Sequence, residues 1–357
     1  MVETYFFYTM IFVLAASFAY IAQYGNGTLH RMWARILCFM CLVVPASLRY
    51  GIGTDYFSYR RIYENNFPDY LQRLEPGFVF IGQLCQDMGL TYQMFLAVIA
   101  IITYGLTCFC IPRKYIFAVI VFYILSFTYL ESYNIVRQSL AISVLLCAFS
   151  QLYRNHNVKG VLLLACASLI HFSALILIPI LMISLININN YLRVFLIIAV
   201  VFIGTNQNFL DMLISFAISI NPRNVNLALM LRQTELNFGV KYMIMALPTI
   251  LILLNTKKIL MQNNGNFILN ANAIYLGVTF LAYVYAIMGR FVHMLFIIPL
   301  FSIQVLYNAN KRYAKIYNAI LITCFSVLFI RYIEHHQVSK PGYKISPYTS
   351  IFNMEDR

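Results

Sequence analysis

Six ionisable residues stand at the ends of long apolar runs, where a charge is costly and is therefore a candidate for function. They are Arg49 and Asp55 in "SLRYGIGTDY", Arg137 in "NIVRQSLA", His171 in "LIHFSAL", and Arg290 with His293 in "GRFVHMLFIIP". Their types suit one kind of chemistry. A guanidinium grips phosphate or pyrophosphate with two parallel hydrogen bonds. An imidazole takes or gives a proton near working pH. A carboxylate can do the same, or hold an arginine in place. Each has a bland reading too. An arginine at a helix end can simply snorkel to headgroups, and a lone histidine can be a satisfied core group. Arg60 and Arg61 read as solvated cations, and His335 and His336 as part of a tail. The convergence of several arginines with Asp55 and His171 on one face is what weighs towards function. There is no HExxH, no DxD and no His/Cys cluster, so no metal is expected. No glycine loop with lysine and no soluble nucleotide-binding domain is present, and no cofactor is expected.

Such residues must be held by elements that live in lipid. The chain is 61% hydrophobic and only 10% charged, with a mean hydropathy of +0.75, whereas soluble domains carry about a quarter charged residues. Apolar runs of about 17–25 residues recur throughout, each long enough to cross a bilayer. No linker sets off a soluble part, so a single polytopic, all-α membrane domain over 1–357 is expected. The first run, from Tyr5 to Ile21, follows Glu3 without a basic leader or a small-residue cleavage site, and reads as a retained helix. A net charge of +13 scattered over short loops is a topology signal, and no nucleic acid is expected. Cys38 and Cys41 form a CxxC inside an apolar run and read as small buried hydrophobes.

The expected crossings are 4–23, 33–49, 91–112, 115–132, 134–153, 159–170, 172–187, 192–206, 239–255, 267–288, 291–307 and 315–333, so about 10–12 helices. One set of alternate connections holds Arg31, Arg35, Arg113, Lys114, Arg154, Lys159, Arg193, Lys257, Lys258, Lys311, Arg312 and Lys315, and no acid. All twelve Asp and Glu fall on the other set. The positive-inside rule makes the basic set cytoplasmic and both termini external. Residues 158–186 are long for one crossing and short for two. Charge parity requires a broken pair that turns near His171. About 13 residues rise only ~20 Å, so the turn lies below the outer surface, where protein or a watery cavity must surround it. The longer outer connections are about 50–90, 206–238 and 333–357. Within them, "EPGFVFIGQLCQDMG" reads as an interfacial helix, and "FLDMLISFAIS" as another.

The ordered stretches "RYGIGTDYFSYRRIYE", "EPGFVFIGQL", "VRQSLAISVLLCAF", "LIHFSALILIPILMI", "GRFVHMLFIIPLF" and "YKISPYTSIF" resemble the EpsG/Wzy-type polysaccharide polymerases over roughly 49–352. No single motif decides this, but the ordered set is fairly specific. Residues 187–240 lie outside the resemblance and are candidates for substrate choice.

The resemblance implies a fold similar to the class C glycosyltransferases. It implies a metal-independent transfer at the outer, periplasmic face of a bacterial inner membrane. The growing glycan on undecaprenyl pyrophosphate would move onto a new lipid-linked repeat unit. The partners are then that donor and acceptor, membrane lipids, and a chain-length regulator as a candidate. Developing charge on the leaving pyrophosphate calls for fixed arginines: Arg290 and Arg137 first, Arg49 next. His171 is the expected general base, with Asp55 its rival. The tyrosines of "DYFSYRRIY", Tyr56 and Tyr59 among them, and Tyr348 are expected along a sugar groove, and Arg60, Glu75, Gln138 and His293 complete the substrate-binding set. Two other readings remain. A flippase or exporter of a lipid-linked sugar usually shows internal repeats, and none is found. A membrane O-acyltransferase needs a cytoplasmic acyl donor, which an outer His171 disfavours.

Overall fold

The computed structural model describes residues 2–65, 74–206, 239–285, 288–337 and 344–352, together with 208, 211, 212 and 215. Its elements are helices, and among the described residues extended pairing is limited to two isolated bridges, Arg49 with Ser350 and Gln337 with Ser346. The chain divides into two compact units, one formed by 1–175 and 322–357 and the other by 176–321.

The first unit contains α1 (Val2–Tyr24), α2 (Thr28–Leu48), α3 (Tyr56–Glu64), α4 (Pro76–Asp87), α5 (Tyr92–Phe109), α6 (Ile116–Leu125), α7 (Thr128–Glu131), α8 (Val136–Tyr153) and α9 (Asn157–Ile170). The second contains most of α10 (Ala174–Ser184), then α11 (Asn190–Thr205), α12 (Val240–Leu254), α13 (Thr256–Leu260), α14 (Gly265–Val284), α15 (Met288–Leu295) and α16 (Ile297–Ala309). Helix α17 (Ala314–His335) begins in the second unit and ends in the first. Seven helical stretches among the described residues are long and apolar enough to cross a bilayer. Three shorter apolar helices accompany them, at 157–170, 190–202 and 240–254. The protein is an all-α polytopic membrane protein.

Burial follows composition. Helix α6, "IFAVIVFYIL", is apolar on every side and buried except at the half-buried Phe117, one of the two settings open to an all-round hydrophobic helix. Helix α8 is buried almost throughout despite Ser139, Ser143 and Ser150. Two of those hydroxyls bond backbone carbonyls, Ser143 to Leu140 and Ser150 to Cys110. Helices α1 and α2 instead expose Phe6, Val13, Ile21, Trp33 and Leu37. That surface would be a liability in water and is ordinary in lipid.

Three expectations change. The crossing expected at 115–132 is broken: α6 stops at Leu125, Phe127 takes a left-handed φ of 60°, and one turn of α7 follows. The freed groups are satisfied by protein, as non-helical backbone at membrane depth requires. Ser126 Oγ donates to the Tyr123 carbonyl at 3.4 Å, Ser132 Oγ to the Tyr129 carbonyl at 2.5 Å and the Phe127 amide to the Ile124 carbonyl at 3.0 Å, while the Phe127 ring stacks on Tyr332. Glu131, counted among the outer loops, ends α7 and is buried. Arg193, counted among the basic loops, is buried in the first turn of α11. Its Nε donates to Asn270 Oδ1 at 2.7 Å and its Nη2 to the Ile188 carbonyl at 2.7 Å. Its neutral oxygen partners lie in the second unit, and no carboxylate pairs with it among the described residues.

The break near His171 is present. Helix α9 ends at Ile170, His171 is extended (φ −151°, ψ 117°), and α10 starts at Ala174. "EPGFVFIGQLCQDMG" forms α4, one face buried through Phe78, Val79 and Cys85 and the other exposing Phe80 and Leu84. "FLDMLISFAIS" falls largely outside the described residues.

Candidate functional site

At the α9–α10 break, His171 Nδ1 lies 2.9 Å from Glu75 Oε1. The second carboxylate oxygen of Glu75 pairs with Arg137 Nη1 at 2.5 Å. Arg137 Nε donates to Tyr59 Oη at 2.8 Å. Four helices thus deliver one constellation. Glu75 immediately precedes α4, Arg137 stands in the first turn of α8, Tyr59 comes from α3, and His171 caps α9. The Phe172 amide adds a hydrogen bond to Glu75 Oε1 at 3.3 Å. Burial pushes the Glu75 carboxyl up. The hydrogen bond from His171 and the charges of Arg137 and His171 outweigh that and hold it at about 2, because each favours the ionised form. Glu75 is therefore a fixed anion over the physiological range. Arg137 keeps one edge open: Nη2 has no hydrogen-bond partner among the described residues.

Asp55 stands at the start of α3, beside Tyr59, whose phenol is pushed up by burial first and by the nearby Asp55 and Glu75 charges after it. Asn134 places it: Oδ1 of Asn134 accepts from Thr54 Oγ1 at 2.6 Å and from the Asp55 amide at 3.3 Å. The turn needs Gly53, whose φ is +97° and whose added Cβ would meet the Tyr133 carbonyl at 2.7 Å. The Asp55 carboxylate itself makes no hydrogen bond among the described residues.

The "YFSYRRIY" tyrosines turn inward. Tyr56, Tyr59 and Tyr63 recur at helical spacing and bury one face of α3 against Phe78, Tyr92 and Phe95. Tyr56 Oη donates to Gln93 Oε1 at 3.1 Å. Arg60 pairs with Glu64 one turn on, both well exposed, and such a pair is worth little. Arg49 is 3% exposed. Its Nη1 donates to the Ala46 carbonyl at 2.6 Å, its guanidinium lies 5.1 Å from the Tyr133 ring centre, and its Nε is unpartnered among the described residues. Residues 345–351 strap this end of α2. Tyr8 Oη donates to the Ile345 carbonyl, Tyr348 Oη to the Pro45 carbonyl, and the Ile351 amide to the Leu48 carbonyl. Gln138 is buried in α8. In the second unit, Arg290 is exposed and His293 buried on α15.

Glu75, Arg137, His171, Tyr59 and Asp55 thus belong to the first unit, as do Arg49 and Tyr348; Arg290 and His293 belong to the second. Sequence reasoning missed Asn134 and the pairing of Glu75 with His171. An "EPG" beside an interfacial helix was the available signal for the latter, but the partners lie 62 and 96 positions apart.

A family model described as the EpsG family matches residues 32–350. No curated protein and no solved structure matches the chain.

Proposed function

The chain belongs to the EpsG family, and from that premise we propose that it polymerises polysaccharide by glycosyl transfer at the periplasmic face of a bacterial inner membrane. Membership supports the polymerase-type role and lipid-linked saccharides as substrates. The observation that carries the finer reading is the constellation of His171 and Arg137 around Glu75 at a helix break.

In the proposed step, an oxygen of the acceptor hydroxyl bonds to the anomeric carbon of the donor glycan. The bond from that carbon to the phosphate oxygen breaks, and its electron pair departs with undecaprenyl pyrophosphate. The hydroxyl proton passes to His171. Asp55, which lies beside Tyr59 in the same unit, is the alternative acceptor of that proton. The open edge of Arg137 takes the developing negative charge, where a fixed cation acts more strongly than in water; Arg290, exposed in the second unit, is kept as a phosphate-binding candidate on the resemblance alone. Arg49 is enclosed and is the least suited of the three. The sugars run past Asp55, Arg60 and the C-terminal strap with Tyr348; Gln138 in the first unit and His293 in the second are kept as supporting residues. The chain acts as one integral membrane polymerase domain of class C glycosyltransferase type, with no metal.

Reconstitution tests this. The purified chain in proteoliposomes is given a lipid-linked repeat unit extracted from the producing cell. A ladder of longer lipid-linked glycans, with release of undecaprenyl pyrophosphate and no loss in EDTA, is the expected result. Movement of the unit across the bilayer without chain growth would make the protein a flippase. An acylated sugar would make it an acyltransferase.

A further inference from the structure

We infer that Glu75 is a positioning residue: it fixes the tautomer of His171, so that Nε2 is the ring nitrogen that meets a substrate hydroxyl. The inference rests on the proposed base role of His171. Its ground is geometric. An ionised carboxylate can only accept hydrogen bonds. With Glu75 Oε1 2.9 Å from Nδ1, the hydrogen must be on Nδ1, and the lone pair of the neutral ring is at Nε2.

The carboxylate is itself held from two sides. Arg137 takes Oε2, braced in turn by Tyr59. The Phe172 amide joins His171 on Oε1. Its ionised state is secured by the charge of Arg137 and by the hydrogen bonds on both oxygens, which hold the carboxyl below its usual range. With both oxygens engaged and the side chain 11% exposed, Glu75 has little left to offer a sugar, which is why positioning replaces the substrate-binding role expected from its sequence.

The next two residues make the approach possible. Pro76 starts α4 with a preset φ. Gly77 lets the start of α4 press on the end of α9: a Cβ there would meet the Leu169 carbonyl oxygen at 2.9 Å and Leu169 Cβ at 3.3 Å. "EPG" is thus an anion, a rigid start and a gap, in that order. In turnover, the acceptor proton moves to Nε2, the imidazolium carries hydrogen on both nitrogens beside the Glu75 anion, and Nε2 releases the proton to water before the next cycle.

Alkylation with iodoacetamide reads the tautomer without substrate. The full chain in lipid nanodiscs is labelled and digested, the peptide carrying His171 is isolated and hydrolysed in acid, which converts the carboxamidomethyl group to carboxymethyl, and the position of the label on the ring is determined against the two carboxymethylhistidine standards. Wild type should be labelled at Nε2 alone, and Glu75→Ala at both nitrogens. In the polymerase assay, Glu75→Ala should lower kcat by about 10²-fold or more with KM within about threefold. Glu75→Gln keeps an oxygen for Nδ1–H and should recover a substantial part of kcat, which a loss of packing alone would not predict. Label on Nδ1 of the wild type overturns the inference, as does Glu75→Ala with wild-type labelling and kcat. If Glu75→Ala does not fold, the wild-type label and Glu75→Gln still decide. His171→Gln with undiminished turnover sinks the base role instead, while the labelling pattern stands or falls on its own.

Discussion

Glu75 holds its charge against burial, and that has a pH signature. Its carboxyl is held at about 2 in the folded protein against 4.5 for the free group. A depressed pKa contributes stability that is present above the unfolded value and lost as pH falls through the folded one. Between about pH 4.5 and 2, wild type should therefore lose more thermal stability in detergent than Glu75→Gln. Parallel curves would mean that the ion pairs with Arg137 and His171 are not formed in solution. His171→Ala should lower turnover by about 10²–10⁴-fold, the usual range for a general base, with the donor still bound because the arginines remain. At Arg290 the test is one of geometry rather than charge. Arg290→Ala should abolish polymer while single repeat units persist, and Arg290→Lys should do little better, since an ammonium cannot make two parallel bonds. Full-length polymer from the Lys variant would leave Arg290 a headgroup contact.

Helices α4 and α9 meet almost backbone to backbone, and the site depends on that contact more than on either helix alone. Gly77→Ala must push Leu169 away by several tenths of an ångström, because the added carbon would lie 2.9 Å from its carbonyl. Overpacking of this kind costs about 1–3 kcal/mol. A lower melting temperature and a fall in turnover comparable to Glu75→Ala are expected, measured on the same preparations. Much of this level was legible. Apolar runs located the helices, and the length of 158–186, long for one crossing and short for two, pointed to the break at His171. The unwound stretch after Leu125 was not legible. "SFTYLES" reads as an ordinary crossing end, and its left-handed Phe127 stacks on Tyr332, about 200 positions away.

Across the whole chain, the basic connections set an orientation that labelling can check. Single cysteines at Lys258 and Arg312 should be protected from a membrane-impermeant reagent added outside, while one at Arg61 should react. Outside labelling at 258 would invert the map and move His171 to the cytoplasmic face. Two of the charges counted for that map, Glu131 and Arg193, are buried, so the argument rests on the remaining loop cations. Arg312 lies 5.4 Å from the Tyr313 ring and Lys258 5.9 Å from it, an arrangement suited to an interface.

The sequence by itself determined the solvent, the secondary structure and the family. Those follow from composition, from runs measured against bilayer thickness, and from ordered motifs over most of the chain, all of which are local or additive properties. It also picked out Arg49, Asp55, Arg137 and His171 as costly ionisable groups, because cost depends on the type of residue and its apolar flanks. Only the tertiary structure decided what those groups face. Arg137 and His171 share Glu75, which is nearly a hundred positions from the histidine. Arg49 is enclosed by Tyr133 and the C-terminal strap, and the α3 tyrosines face the core. Ion pairs and burial depend on which helices pack together, and helix packing is fixed by side-chain shape across long separations, which no local pattern of apolar and charged residues encodes.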